Sequence, residues 1–216
     1  MSAREDILAR VRAGRATPGR EDTAPFDTSG VLPIGAVRTA PSLTELFLAK
    51  LKHCHATHAR IGTLGELPAH VAALLREQGL PLSLVLAPEP ALAGLGWRDA
   101  SLAVTSDLAP TKPGTVVSCA AFAVAETGSI VLTTAGPSRP AHNLLAELHI
   151  VAIAESQIVA TPEDAWRAVT KSGIARGVVF VTGPSRTGDI EMTLELGAHG
   201  AVGLHVVLVE RGIVNA

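Results

Sequence analysis

HIVAIA (149–154), PEDAWRAVTKS (162–172) and GVVFVT (177–182) succeed one another as an apolar run of strand length, an amphipathic run, and a second apolar run. The first and third are continuously apolar instead of alternating. A strand that buries both faces reads this way, and such strands belong to parallel sheets covered on both sides. The middle run opens on Pro162, and a proline is well placed in the first turn of a helix. Outward from this unit the same grammar recurs. Upstream, 82–87, 102–105, 116–125 and 129–133 read as strands, with a short one at 59–63; downstream, 204–210 is a buried strand. Helices are predicted at 42–55, where Ser42 and Glu45 have capping-box spacing, and at 66–78, stopped by Gly79. A further helix is expected at 187–196. Strands alternating with helices give an α/β fold, a doubly wound and mostly parallel sheet, with ligands outside the carboxyl ends of its strands. The loops 126–128 and 183–187 are expected at that end.

Residues 2–13 form an amphipathic pattern with Ile7, Leu8 and Val11 on one face. Residues 14–41 are rich in Gly, Pro, Thr and Asp without periodicity, so 1–41 reads as a helix plus an extended arm or linker, and 42–216 as the α/β domain. The 216 residues are 47% hydrophobic, with four Phe, two Trp and no Tyr. The core is therefore aliphatic, and the aromatic platforms used to stack nucleic-acid bases are lacking. A net charge of -2 also argues against a nucleic-acid partner. The apolar runs are too short to span a membrane, no signal-peptide pattern opens the chain, and a cytoplasmic location is expected. Cys54 and Cys119 are two thiols where an iron–sulfur cluster or Cys-rich zinc site needs about four. There is no G-x-G-x-x-G after a strand and no Walker loop, so no cofactor and no metal are expected to be held by this chain.

Chemistry-bearing residues concentrate in two places. In 181–191 a strand runs into Gly183-Pro184-Ser185-Arg186-Thr187-Gly188-Asp189. Helix amides, the hydroxyls of Ser185 and Thr187, and the Arg186 guanidinium would suit a phosphate or carboxylate. The competing reading is plain capping, with Arg186 paired to Asp189 or Glu191. The tetrapeptide recurs as Gly136-Pro137-Ser138-Arg139, which suggests that Arg139 and Arg186 face a common anion cleft; recurrence of favourable turn residues is the alternative. The second place is Glu126-Thr127-Gly128, a carboxylate between two β-prone runs, suited either to a hairpin or to acid, base or nucleophile work. Among the histidines, His142, His149 and His199 lie near these turns. His53, Cys54, His55 and His58 cluster at a helix end without metal-binding spacing.

In this order, Ala125-Glu126-Thr127-Gly128-Ser129-Ile130, Arg139, Asn143-Leu144-Leu145 with His149-Ile150, Gly183-Pro184-Ser185-Arg186-Thr187 with Asp189-Ile190-Glu191, and Leu196-Gly197-Ala198-His199-Gly200 resemble the LUD-domain family of lactate utilization protein C. The resemblance is strong over about the last half of the chain. It implies a fold like that of ribose-5-phosphate isomerase, glucosamine-phosphate deaminase and the CoA transferases. It also implies a non-redox subunit or accessory factor in the oxidation of L-lactate to pyruvate, with iron–sulfur subunits as partners. The alternative is a stand-alone enzyme on a phosphorylated or CoA-linked small molecule. Candidate catalytic residues are Glu126, Asp189 and His199; candidate ligand-binding residues are Arg139, Gly183, Ser185, Arg186 and Thr187.

Overall fold

The computed structural model describes residues 3–15, 42–106, 114–134, 144–171, 177–188, 194–197 and 199–213. The chain divides into two compact units, Met1–Ile34 and Gly35–Ala216. In the first, helix α1 (Ala3–Arg15) has Glu5 and Asp6 in its opening turn, where the helix dipole favours negative charge.

The second unit begins with helix α2 (Leu43–His53), strand β1 (Thr57–Ile61), helix α3 (Leu67–Glu77), strand β2 (Ser83–Leu86) and the short helix α4 (Pro90–Ala93). It continues through β3 (Ala103–Thr105), β4 (Thr115–Cys119), β5 (Phe122–Val124), β6 (Ser129–Thr133), β7 (Leu148–Ala154) and β8 (Ile158–Val159). Helix α5 (Pro162–Lys171), β9 (Val178–Val181), β10 (Arg186–Gly188), β11 (Leu194–Leu196) and β12 (Gly203–Val209) complete it. Six strands form the main sheet in the order β1-β12-β7-β4-β2-β3, and every neighbouring pair is parallel. The α/β class and the parallel sheet thus match the expectation from sequence. All seven residues of β7 are buried, as a strand with both faces covered requires.

Two aliphatic cores sandwich this sheet. On one face Leu67, Val71 and Leu75 of α3 meet Ile150, Val207 and Val209. On the other, Phe47, Leu48 and Leu51 of α2, with Ala123, Ile130 and Leu132, meet Val151, Ile153 and Leu208. Ser42 caps α2 by accepting the Glu45 amide at 3.2 Å. The Glu45 carboxylate, expected to reach back to Ser42, bonds Arg60 on β1 at 2.5 Å.

Three local departures shape the site. The run at 116–125 divides between two sheets: Ala120 donates to Ala152 in the main sheet, and Ala121 already donates to Val131 in the other. That other sheet has the order β8-β5-β6-β9, so GVVFVT, read as part of the parallel sheet, is instead antiparallel to β6 with Ile130 opposite Val181. Its outer face is covered by α5, where Ala165 and Val169 pack on Val124 and Val131. Where a helix was expected over 187–196, the described residues 186–188 and 194–196 form the antiparallel pair β10 and β11, with Arg186 opposite Leu196. The reason lies in the period: Asp189, Glu191, Thr193 and Glu195 alternate with Ile190, Met192, Leu194 and Leu196, the two-residue rhythm of a strand. Among the described residues no helix is long and apolar enough to cross a membrane.

Candidate functional site

Register places the candidate segments. Chain polarity takes β5 from the carboxyl end of β4 back along the sheet, so the turn at 125–128 lies at the amino-terminal end of the parallel strands. Thr182 and Gly183 lie beside it, because Ser129 Oγ is 2.6 Å from both Thr127 Oγ1 and Thr182 Oγ1. The expectation that 126–128 and 183–187 sit at the carboxyl ends is therefore corrected. Ser185 precedes β10 and Thr187 lies within it, so neither stands at a helix N-terminus as expected.

The C-terminal turn of α2 meets both segments. The Cys54 thiol donates to Thr127 O at 3.7 Å. Gly128 and Gly183 have φ of 72° and 91°, and a Cβ on Gly183 would stand 2.4 Å from Cys54 O. Gly183, read as a ligand contact, is first a close-approach residue.

A cavity of about 350 Å³ opens at this end of the molecule, lined among others by His149, Thr182, Gly183, Ser185, Arg186 and His199. Ser185 holds its rim together. Its amide donates to Ala201 O at 2.8 Å and its carbonyl accepts from Gly197 at 3.0 Å, while its hydroxyl accepts the His199 amide at 3.2 Å. Arg186 opens β10 and is exposed. Of the candidate residues, Gly183, Ser185, Arg186 and His199 are thus brought together. Thr187 follows Arg186 within β10. Glu126, half-buried, donates its amide to Ala160 O at the β5–β6 turn and is not in the cavity lining. Arg139, Asp189 and His142 lie outside the described residues.

His149, which lines the cavity, belongs to a pair that sequence reasoning did not join. His149 is 1% exposed, and so is Ser118; Ser118 Oγ is 2.8 Å from His149 Nε2. His149 was one histidine among three near the turns. Ser118 is one of two hydroxyl residues in the strand TVVSC, and nothing in that strand's pattern distinguishes it.

A second buried histidine lies on the other face. His205 Nδ1 is 2.7 Å from Thr57 Oγ1, and its Nε2 is 3.0 Å from His70 Nε2. Burial, then the neighbouring His70, then His58, push His205 down to about 4; burial also lowers His70. Among the described residues no group of three or more His, Cys, Asp or Glu is placed to hold a metal ion.

Comparison with known proteins agrees with this architecture. Residues 114–209 match the family described as the LUD domain, a span that includes Ser118, His149, Ser185, Arg186 and His199. A protein named lactate utilization protein C from Deinococcus radiodurans is 30% identical over 75% of this chain and 82% of its own length. Another of that name, from Oceanobacillus iheyensis, is 25% identical over 96% of this chain and 98% of its own. The crystal structure of a duf162 family protein from Deinococcus radiodurans aligns with a TM-score of 0.58 at 23% identity, covering 77% of this chain and 96% of that one, which attests the fold. The chain belongs to the LUD-domain family of lactate utilization protein C.

Proposed function

We propose that the chain works in lactate utilization as a non-redox subunit or accessory factor in the oxidation of L-lactate to pyruvate, acting with iron–sulfur partner proteins. The observation that carries this reading is the likeness, over 75% of the chain, to a protein named lactate utilization protein C. The cavity supports it chemically. Arg186 offers a fixed charge for a small carboxylate, and Thr182 and Ser185 line the same space.

Turning lactate into pyruvate removes two electrons and two protons, and side chains are not acceptors for the electrons; cofactors carry that step. In this reading the partners accept the electrons and the present chain binds the small acid or docks the complex. The test is genetic. Deleting the gene in its host is expected to abolish or reduce growth on L-lactate while growth on glucose is unchanged, and a copy encoding Arg186→Ala is expected to rescue poorly. Normal growth of the deletion strain on L-lactate, with no second copy present, would overturn the assignment.

A further inference from the structure

We propose that the chain carries a second small-molecule site, a cavity over Thr115, Leu148 and Gly203 at the amino-terminal end of the main sheet, and that it takes an apolar molecule bearing a primary amine. This site is independent of the carboxylate reading of the first cavity.

Leu148 on β7 is the register partner of both Thr115 on β4 and Gly203 on β12. The three positions therefore form a row across the strand starts, on one face of the sheet. Leu148 packs in the core on the α3 side, together with Val117, two residues beyond Thr115, which identifies that face. The next residues along β7 and β12, His149 and Leu204, line the first cavity, and successive strand residues point to opposite faces. The two cavities thus lie back to back across the sheet. The one over the row has a volume of about 520 Å³ and is lined among others by Gln78 and Leu80, at and just after the end of α3, and by Glu147. A space of this size holds a small organic molecule.

Two features of the row point to a ligand. Thr115 is 4% exposed, yet among the described residues its hydroxyl has no hydrogen-bond partner. Unlike Glu155 Oε1, it is not closed off from open space. A polar group on so buried a residue is ordinarily bonded, and a valine, as at the next two positions, would fill the strand without one. Thr115 lines the cavity, so a molecule seated there can make the missing bond. Gly203 is the second feature. Its backbone is not left-handed, and the closest atom to an added Cβ is Leu148 Cδ1 at 3.1 Å, the far end of a flexible side chain. Glycine weakens a strand and marks a close approach by something else; here it leaves room over the row. Charge sets the class of ligand. Among the described residues Glu147 is the only charged one in the lining. A carboxylate attracts an ammonium and repels an acid. Leu80 and Leu148 offer apolar wall to the body of the molecule, and the three donors of an ammonium suit both a carboxylate and a hydroxyl oxygen.

The test is a chemical-shift titration of the full chain at pH 7 with benzylamine, benzyl alcohol and benzoate, one ring with three different heads. The amides of Thr115, Leu148 and Gly203 are followed. Benzylamine is expected to move them saturably, and benzyl alcohol to do so about fivefold more weakly, the effect of one exposed charge pair. Benzoate is expected to leave them in place. Glu147→Gln is expected to bring amine and alcohol to equal affinity. Thr115→Val is expected to weaken both about fivefold without lowering the denaturant midpoint, since no hydrogen bond within the protein is lost. Gly203→Leu is expected to remove binding by filling the space. Because that substitution can disturb β12, the order of the three probes on the unmodified chain is the independent readout. Amides of the row that stay in place at about 10 mM benzylamine, or an amine bound no more tightly than the alcohol or the acid, would overturn the proposal. So would binding left unchanged by both Thr115→Val and Gly203→Leu. A Thr115→Val chain clearly less stable than the parent would show that the hydroxyl is already bonded within the protein, and would overturn it as well.

Discussion

At the scale of single residues, two positions set measurable limits on this fold. Gly183 joins a left-handed backbone to a contact with the carbonyl that closes α2. A side chain there meets backbone, which cannot rotate away. Gly183→Ala is expected to destabilise by about 1–3 kcal/mol from backbone strain, with the clash adding to it; a denaturant midpoint unchanged from the parent would remove this account of the turn. His205 is the other. Its folded-state value of about 4 lies below the ordinary 6.5, so between these limits the unfolded chain binds more protons than the folded one. The stability it contributes is complete above about pH 6.5 and is lost as pH falls through about 4, roughly 3 kcal/mol in all. Denaturation at pH 7 and at pH 4.5 should show that loss in the parent and a clearly smaller one in His205→Gln, whose side chain does not titrate. His70 remains in the variant and keeps part of the slope. Equal slopes in the two proteins would mean that His205 is not the group that responds.

At the scale of elements, the sequence was most legible where hydrophobicity is continuous. LHIVAIA and GLHVVLV became β7 and β12, two of the four inner strands, because a run with no polar face can only be buried on both sides. Helices α2, α3 and α5 were legible from period and from the residues that bound them, Ser42 and Pro162 at the starts of α2 and α5 and Gly79 after α3. Sheet membership was not legible. The run GVVFVT was read as a buried strand, yet at the edge of the second sheet no residue of β9 is fully buried and Phe180 is 39% exposed; pairing is settled by contacts distant in sequence, here β6. That single ambiguity moved the candidate site from one end of the main sheet to the other. The hairpin of β10 and β11 was missed for another reason: after Gly-Pro, hydroxyl and acidic residues imitate a helix cap, and the alternation from 189 to 196 had to outweigh them. The hairpin matters for the site because Ser185, just before it, bonds Gly197, His199 and Ala201 after it. Closing that loop, rather than a helix N-terminus, is what brings Arg186 and His199 to one cavity. Ser118 belongs to the illegible part for the same reason as β9: its partner is 31 residues away.

At the scale of the whole molecule, the positions of the two cysteines bear on the division of labour between this chain and its proposed partners. Cys54 closes α2 just before β1 begins, at the amino-terminal end of the parallel sheet. Cys119 is the last residue of β4, at the carboxyl end. They cannot be ligands of one centre. Cys119 is also a poor ligand by itself: burial, and then the Glu89 carboxylate whose Oε2 accepts its amide at 2.5 Å, hold the thiol far above its ordinary range and so protonated, whereas metals bind thiolates. In the proposed division of labour the electron acceptor for lactate comes from another molecule. The purified chain is expected to be colourless, to carry iron well below one equivalent, and to leave an artificial dye unreduced when L-lactate is added. The same mixture should reduce the dye once the iron–sulfur partners are supplied, and faster with the parent than with Arg186→Ala. Dye reduction by the isolated chain, with a matching visible absorption band that survives gel filtration, would show that it holds a redox group itself and would reverse the assignment of roles.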